Sequence, residues 1–227
     1  MNKKIKIYAI LLLLVIVGTV SVLGYQYWQT SKEAKLLLAN PNTKDSYELI
    51  QKRTKEIKED SENYDAYMSL GFNWKSIGEA TKDDKYLWRA IDAYSEVIKK
   101  WGPTAYLPFL NRANTYILLG EYNRAEDDLK LSIELDPGEQ NLPVALADLY
   151  KNYLNKSDEE IRAVYETAMD RVVGGGNIVN SYAGYLKEVG DYEKSLQYYK
   201  SLEKAFPANT AYKSVIKELE DLISKNK

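Results

Sequence analysis

The side chains that carry most chemistry near neutral pH are missing from this chain. It contains no Cys and no His. That removes thiol nucleophiles, imidazole bases, thiolate zinc sites and disulfides together. Adjacent carboxylates occur at Asp83-Asp84, Asp127-Asp128 and Glu159-Glu160. Neighbours on a helix point to different faces, so none of the three forms an obvious acid/base pair, and helix solvation or capping accounts for them. Gly174-Gly175-Gly176 is followed by neither Lys-Ser nor Lys-Thr and does not leave a strand. It reads as a turn between helices rather than a phosphate-binding loop. No catalytic residue, metal site or cofactor is assigned, and an enzyme is not expected.

The rest of the composition is that of an ordinary globular protein, 28% charged and 45% hydrophobic over 227 residues. Twenty Tyr stand against three Phe. Tyr suits half-wet helix interfaces, where its ring is buried and its hydroxyl reaches out. The net charge is −2, with Lys3, Lys4 and Lys6 preceding the first acidic residue, Glu33. Without those three lysines, 28 basic residues face 33 acidic ones. A mildly acidic body lacks the basic face that nucleic acid requires, so no nucleic-acid partner is expected.

Residues 7–31 carry no charge, and Ile10 to Val17 is an unbroken apolar run. Residues 7–27 supply the 20 or so residues a spanning helix needs. Tyr8 stands at one end and Tyr25, Tyr27 and Trp28 at the other, as aromatic belts do. The preceding lysines predict a cytoplasmic N-terminus over residues 1–6, a single-pass signal-anchor at 7–27 in the lipid bilayer, a juxtamembrane linker at 28–43 and an extracytoplasmic remainder. A cleaved signal peptide is the rival reading. Val22-Leu23-Gly24 is a poor cleavage site, however, and the apolar run exceeds the usual signal length. A lipoprotein signal lacks its Cys.

Beyond the linker the apolar residues recur at helical spacing. Asp45 to Glu59 reads as a surface helix with one apolar stripe at Tyr47, Leu49, Ile50 and Ile57. Then come Tyr67-x-x-Leu70-Gly71-x-x-Trp74 with a turn at Gly78, and Ala90-x-x-x-Tyr94 ending at Gly102-Pro103. Phe109-x-x-Arg112-Ala113-x-x-Tyr116 follows, with Gly120-x-Tyr122-x-x-Ala125-x-x-x-Leu129 and Pro137. A weaker copy has Leu146-Ala147-x-x-Tyr150, a capping box at Ser157 and Glu160, then Ile161, Tyr165 and Ala168. The last copy has Tyr182-Ala183-x-x-Leu186, Gly190, Tyr192, Ser195, Tyr199 and Pro207. Gly120 to Gly190 and Pro137 to Pro207 both span 70 residues. Ala211 to Ile223 predicts a closing amphipathic helix within residues 208–227.

This pattern resembles the tetratricopeptide repeat (TPR), a helix–turn–helix unit of about 34 residues that must stack on copies of itself to bury its apolar face. The resemblance implies an all-α fold: a right-handed α-α superhelix of about four units over residues 44–207, preceded by the single transmembrane helix. About seven extra residues around 79–86 should lengthen the first turn or the helix after it. The resemblance also implies a concave groove lined by the first helix of each unit. By helical period the groove positions are Met68, Phe72 and Lys75; Leu110, Asn114 and Ile117; Val144, Asp148 and Lys151; and Asn180, Gly184 and Lys187. Lys75, Asn111, Asn114 and Lys151 loosely echo the Lys/Asn set with which some members hold a peptide carboxylate, although the full motif is absent. The expected function is a membrane-anchored scaffold that binds a protein or peptide partner outside the cytoplasm. The alternatives are a self-associating, homo-oligomeric membrane module, or a secreted TPR domain if the N-terminal segment is cleaved.

Overall fold

A computed structural model describes residues 30–171 and 176–226, and every described regular element is helical. The expected span at 7–27 lies outside these residues. Among the described residues no helix is long and apolar enough to cross a membrane. The chain divides into two compact units, residues 1–90 and 91–227.

In the first unit, residues 30–39 form α1, followed by α2 (Pro41–Glu59), α3 (Tyr64–Thr81) and the start of α4 (Asp84–Trp101). The expected linker at 28–43 therefore contains a helix, and α2 begins at Pro41 rather than Asp45. The cause is local. Asn40 has extended backbone angles, and its side chain accepts a hydrogen bond from the Asn42 N–H at 3.0 Å. Pro41 then opens the helix, where its missing N–H costs nothing. The Thr43 hydroxyl donates to the Leu37 carbonyl at 2.8 Å, satisfying an end carbonyl of α1. Leu37, Ile50, Ile77 and Tyr86 form the unit's buried core. Trp74 stacks on Tyr86 with ring centroids 5.7 Å apart, and the Arg89 guanidinium lies 4.7 Å from the Trp74 ring.

Gly78 is not the turn. It sits inside α3 and is buried, and a Cβ there would lie 2.6 Å from Leu87 Cδ2. The glycine permits close helix approach, while Lys82, left-handed at φ 57°, makes the turn. The extra residues are absorbed as helix: α3 and α4 have 18 residues each, against 12 and 14 in the next pair.

The second unit holds the rest of α4, then α5 (Leu107–Leu118), α6 (Tyr122–Leu135), α7 (Asn141–Leu149) with a π-turn at Tyr150–Leu154, α8 (Asp158–Arg171), α9 (Gly176–Glu188), α10 (Tyr192–Ala205) and α11 (Ala211–Lys225). Each helix from α5 onward packs on the next. The turns repeat in chemistry as well as position. At Gly120 (φ 76°) the Glu121 N–H reaches the Tyr116 carbonyl and the Gly120 N–H reaches that of Ile117. At Gly190 (φ 84°) the same two bonds run from Asp191 to Leu186 and from Gly190 to Lys187. Both are Schellman closures, which need a left-handed residue. In the weak copy Asn155 (φ 47°) takes that place, and Lys156 donates to the Tyr150 carbonyl.

The repeat positions form the core. Ala113, Ala125, Ala147, Ile161, Ala183 and Ser195 are all buried, as are Leu129, Tyr165, Tyr182, Leu186 and Tyr199. Small residues at these crossings let paired helices approach closely. The Ser195 hydroxyl donates to the Ala183 carbonyl at 2.8 Å, so the serine is satisfied at a position usually filled by Ala. The capping box forms as expected: Ser157 N–H donates to Glu160 at 2.9 Å and Glu160 N–H to the Ser157 hydroxyl at 3.2 Å. Ile216 and Leu219 of α11 close a second cluster with Tyr199 and Leu202. One carboxylate reading is corrected: Asp128 is buried and ion-paired to Arg112, so solvation or capping does not account for it.

Candidate partner-binding surfaces

In the first unit, α3 carries Met68, Phe72 and Lys75 at i, i+4 and i+7, which places them on one helix face. Met68 and Lys75 are half-buried, whereas Phe72 is 63% exposed. A phenyl ring so exposed contributes little to folding.

In the second unit the candidates separate into three groups. Leu110, Ile117 and Val144 are half-buried and pack against the core, so part of their surface is spent on the fold. Asn111 and Asn114 lie half-buried on α5. The two lysines link neighbouring elements, the π-turn to α9 and α9 to the closing helix α11. Lys151 Nζ meets Glu188 at 2.7 Å, and Lys187 Nζ meets Glu218 at 2.6 Å. Lys151 therefore already faces a carboxylate of its own chain, which weakens the resemblance to a carboxylate-holding set. Asp148 joins this group. Partial removal from water raises its carboxyl above the ordinary range; Lys151 opposes the rise and Glu188 adds to it.

Asn180 belongs to a different place. It lines a cleft of about 600 Å³ with Gln140, Asn177, Phe206, Asn209 and Tyr212. At Gly184 a Cβ would sit 3.7 Å from the Tyr199 hydroxyl.

A further cavity of about 430 Å³ opens between α6 and α8, over α7. Ile133, Pro143, Leu146 and Val164 give it an apolar floor, with Lys130, Glu134, Glu160 and Arg171 among its lining residues. The sequence reading missed it because periodicity identifies residues facing the core, not gaps between second helices. Ala163 and Thr167, small and four apart on α8, are the available signal.

Several tyrosine hydroxyls are tied to carboxylates. Tyr150 donates to Glu126 at 2.8 Å, Tyr182 to Glu166 at 2.6 Å and Tyr185 to Asp158 at 2.6 Å. Lys194 bonds both Glu166 and the Tyr182 hydroxyl. Arg162 spans Asp158 and Asp191. Tyr165 stacks on Tyr182, which meets Tyr198. This lattice fastens α8, α9 and α10, and its groups are used up by one another. Among the described residues no cluster of three or more acidic side chains is placed to hold a metal ion.

Residues 109–139 match the tetratricopeptide repeat. The chain shares its fold with solved proteins of low identity. A crystal structure of MamA is 17% identical, with a TM-score of 0.55 over 72% of this chain and 90% of that one. A tetratricopeptide repeat protein from Parabacteroides merdae is 17% identical, at 0.53 over 86% and 75%. The thermophilic TPR protein TTC0263 of Thermus thermophilus is 13% identical, at 0.52 over 75% and 88%. No curated protein matches the chain in sequence. The described chain is an all-α, TPR-like solenoid.

Proposed function

We propose that the protein is a membrane-anchored scaffold. Residues 7–27 hold it in the bilayer, and its repeats bind a protein or peptide partner on the extracytoplasmic side, in cell-envelope or secretion-complex assembly. The observation that carries the binding half is Phe72, exposed on the α3 face that also bears Met68 and Lys75. A groove of this kind takes an extended or helical peptide through apolar anchors flanked by polar groups. The anchor rests on the uncharged, aromatic-bounded run and the lysines before it.

The absence of Cys makes topology directly testable in the full-length protein. With Lys3→Cys and Lys204→Cys prepared separately, a membrane-impermeant maleimide applied to intact cells labels only the second. Labelling of the first instead contradicts the orientation. For binding, affinity capture with the full chain retains a partner that Phe72→Ala loses; capture unaffected by that change contradicts this site.

The apolar cavity between α6 and α8 favours a second reading, self-association. A detergent-solubilised chain whose mass stays monomeric at high concentration removes it.

A further inference from the structure

The cleft at the start of α9 differs from the rest of the surface. In a chain with 28% charged residues, no charged side chain lines it among the described residues. Its walls are four carboxamides, Gln140, Asn177, Asn180 and Asn209, with the rings of Phe206 and Tyr212. Phe206 is 46% exposed, although one edge rests against Gly176, where a Cβ would lie 2.9 Å from the ring. Any larger residue at 176 would displace that ring.

Internal bonds set the amides and leave capacity over. The Asn177 N–H donates to Gln140 Oε1 at 3.1 Å, and Asn177 Nδ2 donates to Asn141 Oδ1 at 2.8 Å. Asn209 Oδ1 accepts from the Ala211 N–H at 3.2 Å. The Gln140 and Asn209 amino groups and the Asn177 carbonyl keep hydrogen-bonding positions, since each carboxamide has two donors and an acceptor. Asn180 makes no hydrogen bond among the described residues. A second cavity of about 320 Å³ shares Gln140 and Asn177, adds Glu139 and Asn141, and extends the cleft.

We infer that this cleft binds a neutral oligosaccharide bearing N-acetylamino sugars. An acetamido group offers one N–H and one C=O, which a carboxamide meets with two hydrogen bonds. The aromatic faces suit the C–H faces of pyranose rings. The 600 Å³ cleft offers a charged ligand no counter-charge, and the one carboxylate in its extension, Glu139, already accepts from the Asn141 N–H and side-chain amide. A peptide backbone offers the same amide pairs, but its side chains would meet carboxamides rather than apolar pockets. The inference stands whether or not a protein binds at Phe72.

The test is titration of the detergent-solubilised full chain with chitotetraose, with cellotetraose, which lacks the acetamido groups, and with tetraglycine. Chitotetraose binds with a Kd of about 1 mM or tighter, and cellotetraose binds at least about tenfold more weakly. Asn180→Ala and Phe206→Ala each weaken chitotetraose by about tenfold or more, and Asn180→Ala does so without changing the thermal midpoint. Asn180→Gln, which keeps the carboxamide, retains part of the affinity. Three results overturn the inference: no chitotetraose binding at about 10 mM, equal binding of the two sugars, or tetraglycine binding at these residues as tightly as chitotetraose.

Discussion

Arg112 on α5 and Asp128 on α6 form a two-pronged ion pair, with Nε to Oδ2 and Nη2 to Oδ1 both at 2.8 Å. The third arm of the guanidinium donates to the Ser95 hydroxyl on α4 at 2.9 Å. One planar fork thus ties three successive helices. Asp128 is 8% exposed in its side chain and Arg112 19%. Removing one partner leaves a largely buried charge uncompensated. Asp128→Ala should cost roughly 2–4 kcal/mol, somewhat below the figure for a fully buried pair. Denaturant unfolding of the variant checks this; a loss under about 0.5 kcal/mol would place the pair among ordinary surface pairs.

Gly78 and Gly184 make opposite predictions for the same substitution. Both lie within helices, where Ala exceeds Gly by about 1 kcal/mol in propensity. At Gly78 the new Cβ meets Leu87 Cγ at 2.7 Å and its backbone N at 3.1 Å. Overpacking of about 1–3 kcal/mol outweighs the gain, so Gly78→Ala lowers the melting midpoint. At Gly184 the nearest atom is 3.7 Å away, an ordinary contact. Gly184→Ala therefore raises it. Thermal melts that move the same way in both variants would refute the packing assignment.

Glu33 holds α1 to the first unit through Arg89 at 3.0 Å and Lys85 at 3.5 Å. Burial pushes its carboxyl up, but Arg89, Tyr86 and Lys85 together hold it below the ordinary range. Glu33→Ala should detach α1 while leaving α2 and α3 folded. Hydrogen exchange of residues 30–39 should speed by about tenfold, the equivalent of 1.4 kcal/mol. Unchanged protection would show that the Glu33 ion pairs do not hold the helix.

Acid should loosen α8 to α10. Hydrogen bonds from Lys194 and Tyr182 hold Glu166 below its ordinary range, and those from Tyr185 and Arg162 do the same for Asp158. A carboxylate with a depressed folded pKa adds stability that is present above its unfolded value and lost as pH falls through the folded one. The loss therefore begins near pH 4 and continues downward. Solvent screens both groups, so the set contributes on the order of 1 kcal/mol. Melting midpoints from pH 7 to pH 3 check it: Glu166→Gln and Asp158→Asn should flatten the acid limb, and an unaltered slope would contradict the assignment.

Much of the fold was legible in the sequence because the repeat leaves two kinds of mark. Small residues at helix crossings recur as Ala113, Ala125, Ala147 and Ala183. Left-handed turn residues recur as Gly120 and Gly190, 70 residues apart. Where chemistry substitutes for type, legibility fails. Asn155 makes the same turn as those glycines without being glycine, and Gly78 looks like a turn residue but serves close packing. Asp128 shows the same limit at the level of charge: an acidic pair reads as solvated until the helix opposite supplies its arginine. The candidate surface was legible only as a helix face. The period selected Phe72 and Asn180 together with Leu110 and Ile117, but it could not separate exposed rings and free amides from side chains half spent on the core.

On the proposed function, the Phe72 face meets a protein partner in the cell. A photo-crosslinking phenylalanine analogue at position 72 of the full-length protein tests this directly in intact cells, with the exposed Glu96 position as control. A discrete adduct of one partner is expected from position 72 and none from position 96. No adduct from position 72, or the same adducts from both positions, would contradict it.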